Sequence, residues 1–177
     1  VWVDGRLGSG WWYEGAGIYR KTWLIRTPSL HLARDGIFAR SVVDAVGTGN
    51  SHRASMVLSA TIENTASTAT SSSIVFELFD SNGVTAGTAT IYQCQIAAAG
   101  NYSTPALASC TTTLNLTVPA KLWSPRHPVV YTLRTRLANG DEINTTVGIY
   151  STKWKSDTGF WMNDQHVKIR GFCNHNT

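Results

Sequence analysis

The chain has 177 residues, 42% of them hydrophobic and only 15% charged, with a formal net charge of +4. Its fifteen basic residues are scattered, which excludes a nucleic-acid-binding patch or a polybasic membrane anchor, and no apolar run approaches the ~20 residues of a membrane-spanning helix. Thr, Ser and Ala fill the place of the missing charges, a mixture that favours short strands over helices because β-branched side chains suit a pleated surface.

Residues 1–27 hold four of the seven tryptophans, Trp2, Trp11, Trp12 and Trp23. The chain opens on Val1 with neither an initiator Met nor a signal peptide, and is expected to begin in mid-protein. Val1-Trp2-Val3-Asp4 and Thr22-Trp23-Leu24-Ile25 read as two strands joined by a long glycine-rich turn. Two strands do not make an independent sheet, so they are expected to close a β-sandwich whose earlier strands precede this sequence.

Residues 28–151 show seven strand signals of period two, separated by turn residues. They are Ile37–Asp44, Met56–Glu63, Ile74–Asp80, Val84–Ile91, Thr113–Val118, Val129–Leu137 and Glu142–Tyr150. Met56, Leu58, Ala60 and Ile62 share one face, as do Leu114, Leu116 and Val118. Val129, Tyr131, Leu133 and Leu137 form a third inward set, and Ile143, Val147 and Ile149 a fourth. Ser81-Asn82-Gly83 and Asn139-Gly140 supply the positive φ that tight hairpins need. Thr65–Ser73 is low in complexity and reads as a mobile hairpin tip. Seven such strands without an amphipathic helix predict an immunoglobulin-like β-sandwich.

Cys94, Cys110 and Cys173 form neither a CxxC nor a zinc spacing. Cys94 and Cys110 can pair in an oxidising compartment, leaving Cys173 free, or all three can serve as small apolar side chains. Sequons of the N-x-S/T type begin at Asn101, Asn115 and Asn144, and Asn115 and Asn144 fall on predicted outward faces. They favour a secreted or lysosome-like compartment, with the cytoplasm left open.

From residue 152 the character changes. Lys153-Trp154-Lys155 reads as a link to a hairpin made of Gly159-Phe160-Trp161-Met162, a turn at Asn163-Asp164, and His166–Arg170. The alternation of Val167 and Ile169 runs into Arg170-Gly171 and then Asn174-His175-Asn176, a buried strand ending at a polar rim, as in barrel enzymes.

Three stretches, in this order, resemble glycoside hydrolase family 2, the β-galactosidase, β-glucuronidase and β-mannosidase group. The first is Gly10-Trp11-Trp12-Tyr13-Glu14-Gly15-Ala16-Gly17-Ile18-Tyr19-Arg20. The second is Leu122-Trp123-Ser124-Pro125 with His127-Pro128-Val129-Val130-Tyr131-Thr132-Leu133. The third is Arg170-Gly171-Phe172-Cys173-Asn174-His175. The resemblance implies an all-β organisation around one short barrel piece. Residues 1–27 would be the C-terminal strands of a jelly-roll-like, sugar-binding sandwich and 28–151 the immunoglobulin-like sandwich. Residues 152–177 would begin a (β/α)8 catalytic barrel that is cut short.

The resemblance also implies retaining, exo-acting hydrolysis of a terminal β-linked sugar, β-galactosidase-like, with a carbohydrate β-glycoside as partner and no organic cofactor. It leaves room for a structural sodium or magnesium ion and for a homo-oligomeric parent. The aromatic segment with Arg20 is expected to be architectural, and Trp123 and Tyr131 to plug the end of the sandwich. His175 is carried over as a donor to sugar hydroxyls, Arg170 as a support for nearby carboxylates and Asn174 as a residue of the same rim. Retaining glycosidases need two carboxylates ~5–5.5 Å apart, and in the family both are glutamates of later barrel strands, beyond Thr177. Glu63, Glu77 and Glu142 fall in sandwich strands or beside turns, and Glu14 in the aromatic segment, so this span is expected to be inactive by itself. A rival from another class is a non-catalytic carbohydrate-binding or cell-adhesion sandwich, which has no need for a strand ending in Arg-Gly-Phe-Cys-Asn-His.

Overall fold

In a computed structural model the described residues are 17–18, 20–44, 52–100 and 104–173. Val1–Asp4, most of the first aromatic motif, Asn101, Asn174 and His175 therefore lie outside them. The chain divides into two compact units, one comprising Thr27–Lys168 and the other Val1–Arg26 with Ile169–Thr177.

Seven strands build the larger unit: β1 (Leu30–Val43), β2 (Ala54–Asn64), β3 (Thr70–Phe79), β4 (Thr85–Ile96), β5 (Ala106–Asn115), β6 (Tyr131–Leu137) and β7 (Glu142–Val147). They form a three-stranded sheet in the order β1-β2-β5 and a four-stranded sheet in the order β4-β3-β6-β7, with every neighbour antiparallel. The two inner faces supply one core: Met56, Leu58, Ala60 and Ile62 from one sheet meet Ile74, Phe76, Leu78 and Leu133 from the other, all fully buried. This is the immunoglobulin-like sandwich that strand count and period predict, with no helix among the described residues.

The alternation read from sequence holds best in β2, where every second residue is buried along its length. It also places Tyr131, Leu133 and Leu137 inward, and Ile149 beyond the end of β7. Thr135 occupies the alternate position between Leu133 and Leu137. It is completely buried, and its hydroxyl has no partner among the described residues.

Several boundaries differ from the sequence reading. β1 starts at Leu30 rather than Ile37, because a bulge between Leu32 and Ile37 breaks the alternation. At that bulge Asp35 has φ 53°, and a Cβ on Gly36 would lie 2.8 Å from the Ala33 carbonyl oxygen. β4 continues past Ile91 to bury Cys94 and Ile96. β5 spans Ala106–Asn115 rather than Thr113–Val118, so Val118 is exposed and Leu116 only half-buried. Its inward residues before Leu114, among them Ala106, Ala108 and Cys110, are too small to give a strong alternation, yet its register with β2 is unbroken. Cys94 and Cys110 are joined by a disulfide that ties β4 of one sheet to β5 of the other, with Cα atoms 6.0 Å apart.

The Thr65–Ser73 stretch is an organised turn, not a loose tip. Asn64 is buried and donates through Nδ2 to the carbonyls of Thr68 (2.9 Å) and Ala97 (2.8 Å), while its Oδ1 accepts from the Ala66 amide (3.0 Å). A buried side-chain amide without such partners would be costly, so the turn is held to the end of the sandwich, and Thr70–Ser73 already belong to β3. Thr22–Ile25, read as a strand, carries none, and Trp23, Leu24 and Ile25 are exposed. The partner expected for it, Val1–Asp4, lies outside the described residues.

Both turns assigned from Asn-Gly pairs are present, with positive φ at Gly83 (78°) and Gly140 (90°). The second also ties the sheets together. Asp141 Oδ2 accepts from the Leu32 amide (2.7 Å) and Asn139 Nδ2 donates to the Leu30 carbonyl (2.8 Å). At the far end of β1, Ser41 Oγ donates to the Tyr150 carbonyl (2.6 Å) and accepts from the Tyr150 amide (3.1 Å).

Candidate functional site

The chain leaves the sandwich through a small three-stranded meander: β8 (Thr152–Lys155), β9 (Gly159–Met162) and β10 (Gln165–His166). Lys153–Lys155, read as a link, is thus itself a strand paired with β9. Asn163 and Asp164 both have positive φ, 50° and 59°, the backbone of a two-residue hairpin turn that Asn and Asp tolerate best.

Asn163 also holds the meander on the sandwich. Its amide donates to the Ser151 carbonyl (2.9 Å), its Oδ1 accepts from the Ser151 amide (2.9 Å), and its Nδ2 donates to the Trp123 carbonyl (2.9 Å). Trp123 is fixed in turn by its own amide, which donates to the Ile149 carbonyl (2.7 Å). Gly148 gives Trp123 its place, since a Cβ there would lie 3.1 Å from Cβ and Cγ of the tryptophan. The Trp-Ser-Pro stretch and the strand β7 therefore meet at one corner, and the meander is latched to that corner through one asparagine.

Alternation in the meander separates two faces. Thr152, Trp154, Phe160 and Met162 lie on one, and with Trp123, Gly148 and Tyr150 most of them line a shallow apolar cavity of about 410 Å³. Trp154 packs against Phe160 with ring centres 4.8 Å apart and Trp123 against Tyr150 at 5.8 Å, both pairs tilted. On the opposite face Lys155 Nζ lies 3.9 Å from the Trp161 ring centre, and Lys153 pairs with Asp164 at 2.6 Å. Trp123 accordingly sits where the sandwich meets the meander, as expected of a plug. Tyr131 is buried, with its hydroxyl accepting from the Lys121 amide (2.9 Å).

Of the three residues expected to face substrate, Arg170 is described and exposed, four residues beyond β10. Asn174 and His175 lie outside the described residues. The strand expected over His166–Arg170 is shorter: only Gln165 and His166 pair with β9, and residues 167–173 carry no strand. A barrel strand is held by parallel neighbours on both sides, and no such neighbour occurs among the described residues.

The glutamates of the sandwich have structural partners. Glu77 accepts from Arg134 Nε (3.0 Å) and Nη2 (2.8 Å), with Arg136 at 3.5 Å. Glu63 lies 3.7 Å from His31, and Glu142 accepts from Asn144 (3.4 Å). Each is engaged on an outer sheet face, and none faces a second carboxylate across a cleft. Among the described residues no three His, Cys, Asp or Glu gather as a metal site. Sequence reasoning missed Asn163 as the latch. Its Asn-Asp turn signal marks the bend, but nothing local shows that the side chain reaches Trp123, forty residues earlier.

The sequence profile of glycosyl hydrolases family 2 matches residues 42–150, the greater part of the sandwich. A β-galactosidase from Bacteroides ovatus is 26% identical over 168 residues, covering 93% of this chain and 18% of its own length. A putative β-glucuronidase from Formosa agariphila is 43% identical over 74 residues, covering 39% of this chain and 7% of its own. Among solved structures, a β-glycosidase from Bacteroides vulgatus superposes with a TM-score of 0.63 at 28% identity over 93% of this chain and 19% of its own. A family 2 member from Bacteroides cellulosilyticus gives a TM-score of 0.68 at 20% identity, over 84% of this chain and 19% of its own. The chain thus spans less than a fifth of the length of the relatives it matches.

Proposed function

Because the chain belongs to glycosyl hydrolase family 2, we propose that it supplies the immunoglobulin-like sandwich and the approach to the catalytic barrel of a retaining, exo-acting β-glycosidase. The substrate in this reading is a terminal β-linked sugar, removed in a β-galactosidase-like reaction. The observation that carries it is the order of parts. A sandwich matched to the family over 42–150 is followed by a latched meander and then by Arg170-Gly171-Phe172-Cys173-Asn174-His175. Residues 1–27 would close the sugar-binding sandwich, 28–151 would fold on their own, and 152–177 would open the barrel. The Bacteroides ovatus β-galactosidase aligned over most of the chain supports a galactoside. A β-glucuronide is the second reading, favoured by the higher identity to the Formosa agariphila putative β-glucuronidase over its shorter stretch.

In this proposal His175 donates to sugar hydroxyls beside the scissile bond, with Arg170 and Asn174 ordering the rim. Those hydrogen bonds strengthen as the ring flattens toward an oxocarbenium-like transition state, so they act on kcat rather than on binding alone. His175→Ala in the parent enzyme is expected to lower kcat and kcat/KM by about 10²-fold, equivalent to ~3 kcal/mol of transition-state stabilisation. Near-normal turnover would remove His175 from the site. The two substrates are separated by kcat/KM of the parent on aryl β-galactoside and aryl β-glucuronide; a clear preference for the glucuronide would replace the first reading with the second. The 177-residue chain is expected to hydrolyse neither, for want of the paired glutamates.

A further inference from the structure

We propose that Asn144 carries an N-linked glycan, added as the chain folds in an oxidising secretory compartment. A sequon by itself is weak ground in a Ser/Thr-rich chain, and two structural observations give it weight. The first is the disulfide between Cys94 and Cys110. It spans the two sheets of the sandwich, and Cys94 is wholly buried, so the bond is made as the chain folds. Such bonds form and persist where the surroundings oxidise thiols, in secretory compartments, outside the cell and in the bacterial periplasm, and are rare in reducing ones. A sequon on the surface of a protein exported through the first of these is a glycan acceptor.

The second observation is the setting of the sequon Asn144-Thr145-Thr146. It lies on β7, the edge strand of the four-stranded sheet, which among the described residues is paired on one side only, with β6. Asn144 and Thr146, the two residues a transferase must read, are both exposed. Around them the outer face is polar: Asn144 stands opposite Arg134, which stands opposite Glu77 in turn, and Arg136 faces Glu142 in the next outward row. A glycan there covers charged and hydroxylated side chains that are already solvated, so it desolvates no apolar surface. The Asn144 amide makes one long contact, to Glu142 Oε1 at 3.4 Å. An N-glycosyl amide keeps one N–H, so that contact survives substitution. A bulky hydrophilic group on this strand also hinders another chain from adding to the open edge.

Chemically the step is a glycosyl transfer from a lipid-diphosphate-linked oligosaccharide. Asn144 Nδ2 forms a bond to the anomeric carbon of the first sugar, and the bond from that carbon to the diphosphate oxygen breaks. The lipid diphosphate leaves with the bonding pair, and the proton lost from the amide nitrogen passes to the departing diphosphate or to water. No oxidant or reductant takes part in the transfer.

The test uses the protein purified from its natural source, alkylated before and after reduction and digested with trypsin. The peptide covering 137–153 should appear only after peptide-N-glycosidase treatment in heavy-oxygen water, with the label fragmented to position 144 and not to Asn139. Cys94 and Cys110 should alkylate only after reduction. Recovery of that peptide with unmodified Asn144 at the level of a neighbouring peptide before treatment would overturn the proposal. A modification that resists the glycosidase and maps to Thr145 or Thr146 would do the same. Alkylation of Cys94 and Cys110 without reduction would remove the compartment on which it stands. Asn144→Gln should remove one glycan from the intact protein and leave the disulfide in place.

Discussion

The sandwich and the meander that follows it are both antiparallel β-structure, but they are stable for different reasons. Every sandwich strand except β7 places at least one side chain in the buried core, and β2 alone places five. In β8, β9 and β10 no residue is fully buried. The sandwich closes over its own apolar surface, worth about 25 cal/mol per Å² removed from water. The meander leans on a ledge of aromatic side chains and is fixed by the hydrogen bonds of Asn163. The lesson is that a short sheet without an interior takes its position from one well-placed polar residue.

The largest expected effect tests the sandwich side of this contrast. Phe76→Ala empties the centre of the core and should cost about 3–5 kcal/mol, seen as a large fall in the midpoint of denaturant unfolding. Replacing both Cys94 and Cys110 by Ala should cost about 3 kcal/mol, because the bond closes a loop of sequence separation 16. The native protein should show the same loss when it is reduced. A smaller and local effect is expected on the other side. Asn163→Ala removes two side-chain hydrogen bonds and places a β-carbon residue less suited to φ 50° there, for about 1–3 kcal/mol. Hydrogen exchange should quicken over 152–166 and stay unchanged in β2 and β3. Asn163→Gly, which relieves the backbone but restores no bond, should recover only part of the protection. If β2 and β3 loosen equally, the two regions form one cooperative unit and the contrast fails.

The smallest expected effect lies at the β3–β4 turn. The Val84 amide, followed by that of Asn82, donates to the Asp80 carboxylate, both at 2.9 Å, and holds its pKa below the ordinary 3.8. A carboxylate whose folded pKa is depressed contributes stability above its unfolded pKa and loses it as the pH falls through the folded one. The turn should therefore weaken only below about pH 4, and Asp80→Ala should remove that pH dependence by lowering the stability at pH 7 by the same small amount that the unmutated protein loses in acid. Thermal melts between pH 7 and pH 3 measure both.

Much of this molecule is legible in its residues. Met56, Leu58, Ala60 and Ile62 announce β2 through their period of two, and the glycines at 83 and 140 announce their hairpins through a backbone that other residues adopt at a cost. The third motif, Arg170 to His175, carries the proposal of a sugar-facing rim, and its last residues lie outside those described. Less legible are strands whose inward residues are small or interrupted. β5 presents Ala106, Ala108 and Cys110 to the core, and β1 hides its first half behind a bulge at Asp35-Gly36. In both cases pairing with β2 defines the strand, and pairing is a property of the neighbour.

The sequence by itself determined the strand period, the tight turns and the family motifs, since each depends on residues within a few positions of one another. Tertiary structure alone decided that Cys94 meets Cys110 between the sheets, that Asn64 fastens a Ser/Thr-rich turn, and that Asn163 reaches Trp123. Each of these joins residues separated along the chain but adjacent in space, where a buried polar group or a thiol must find its partner.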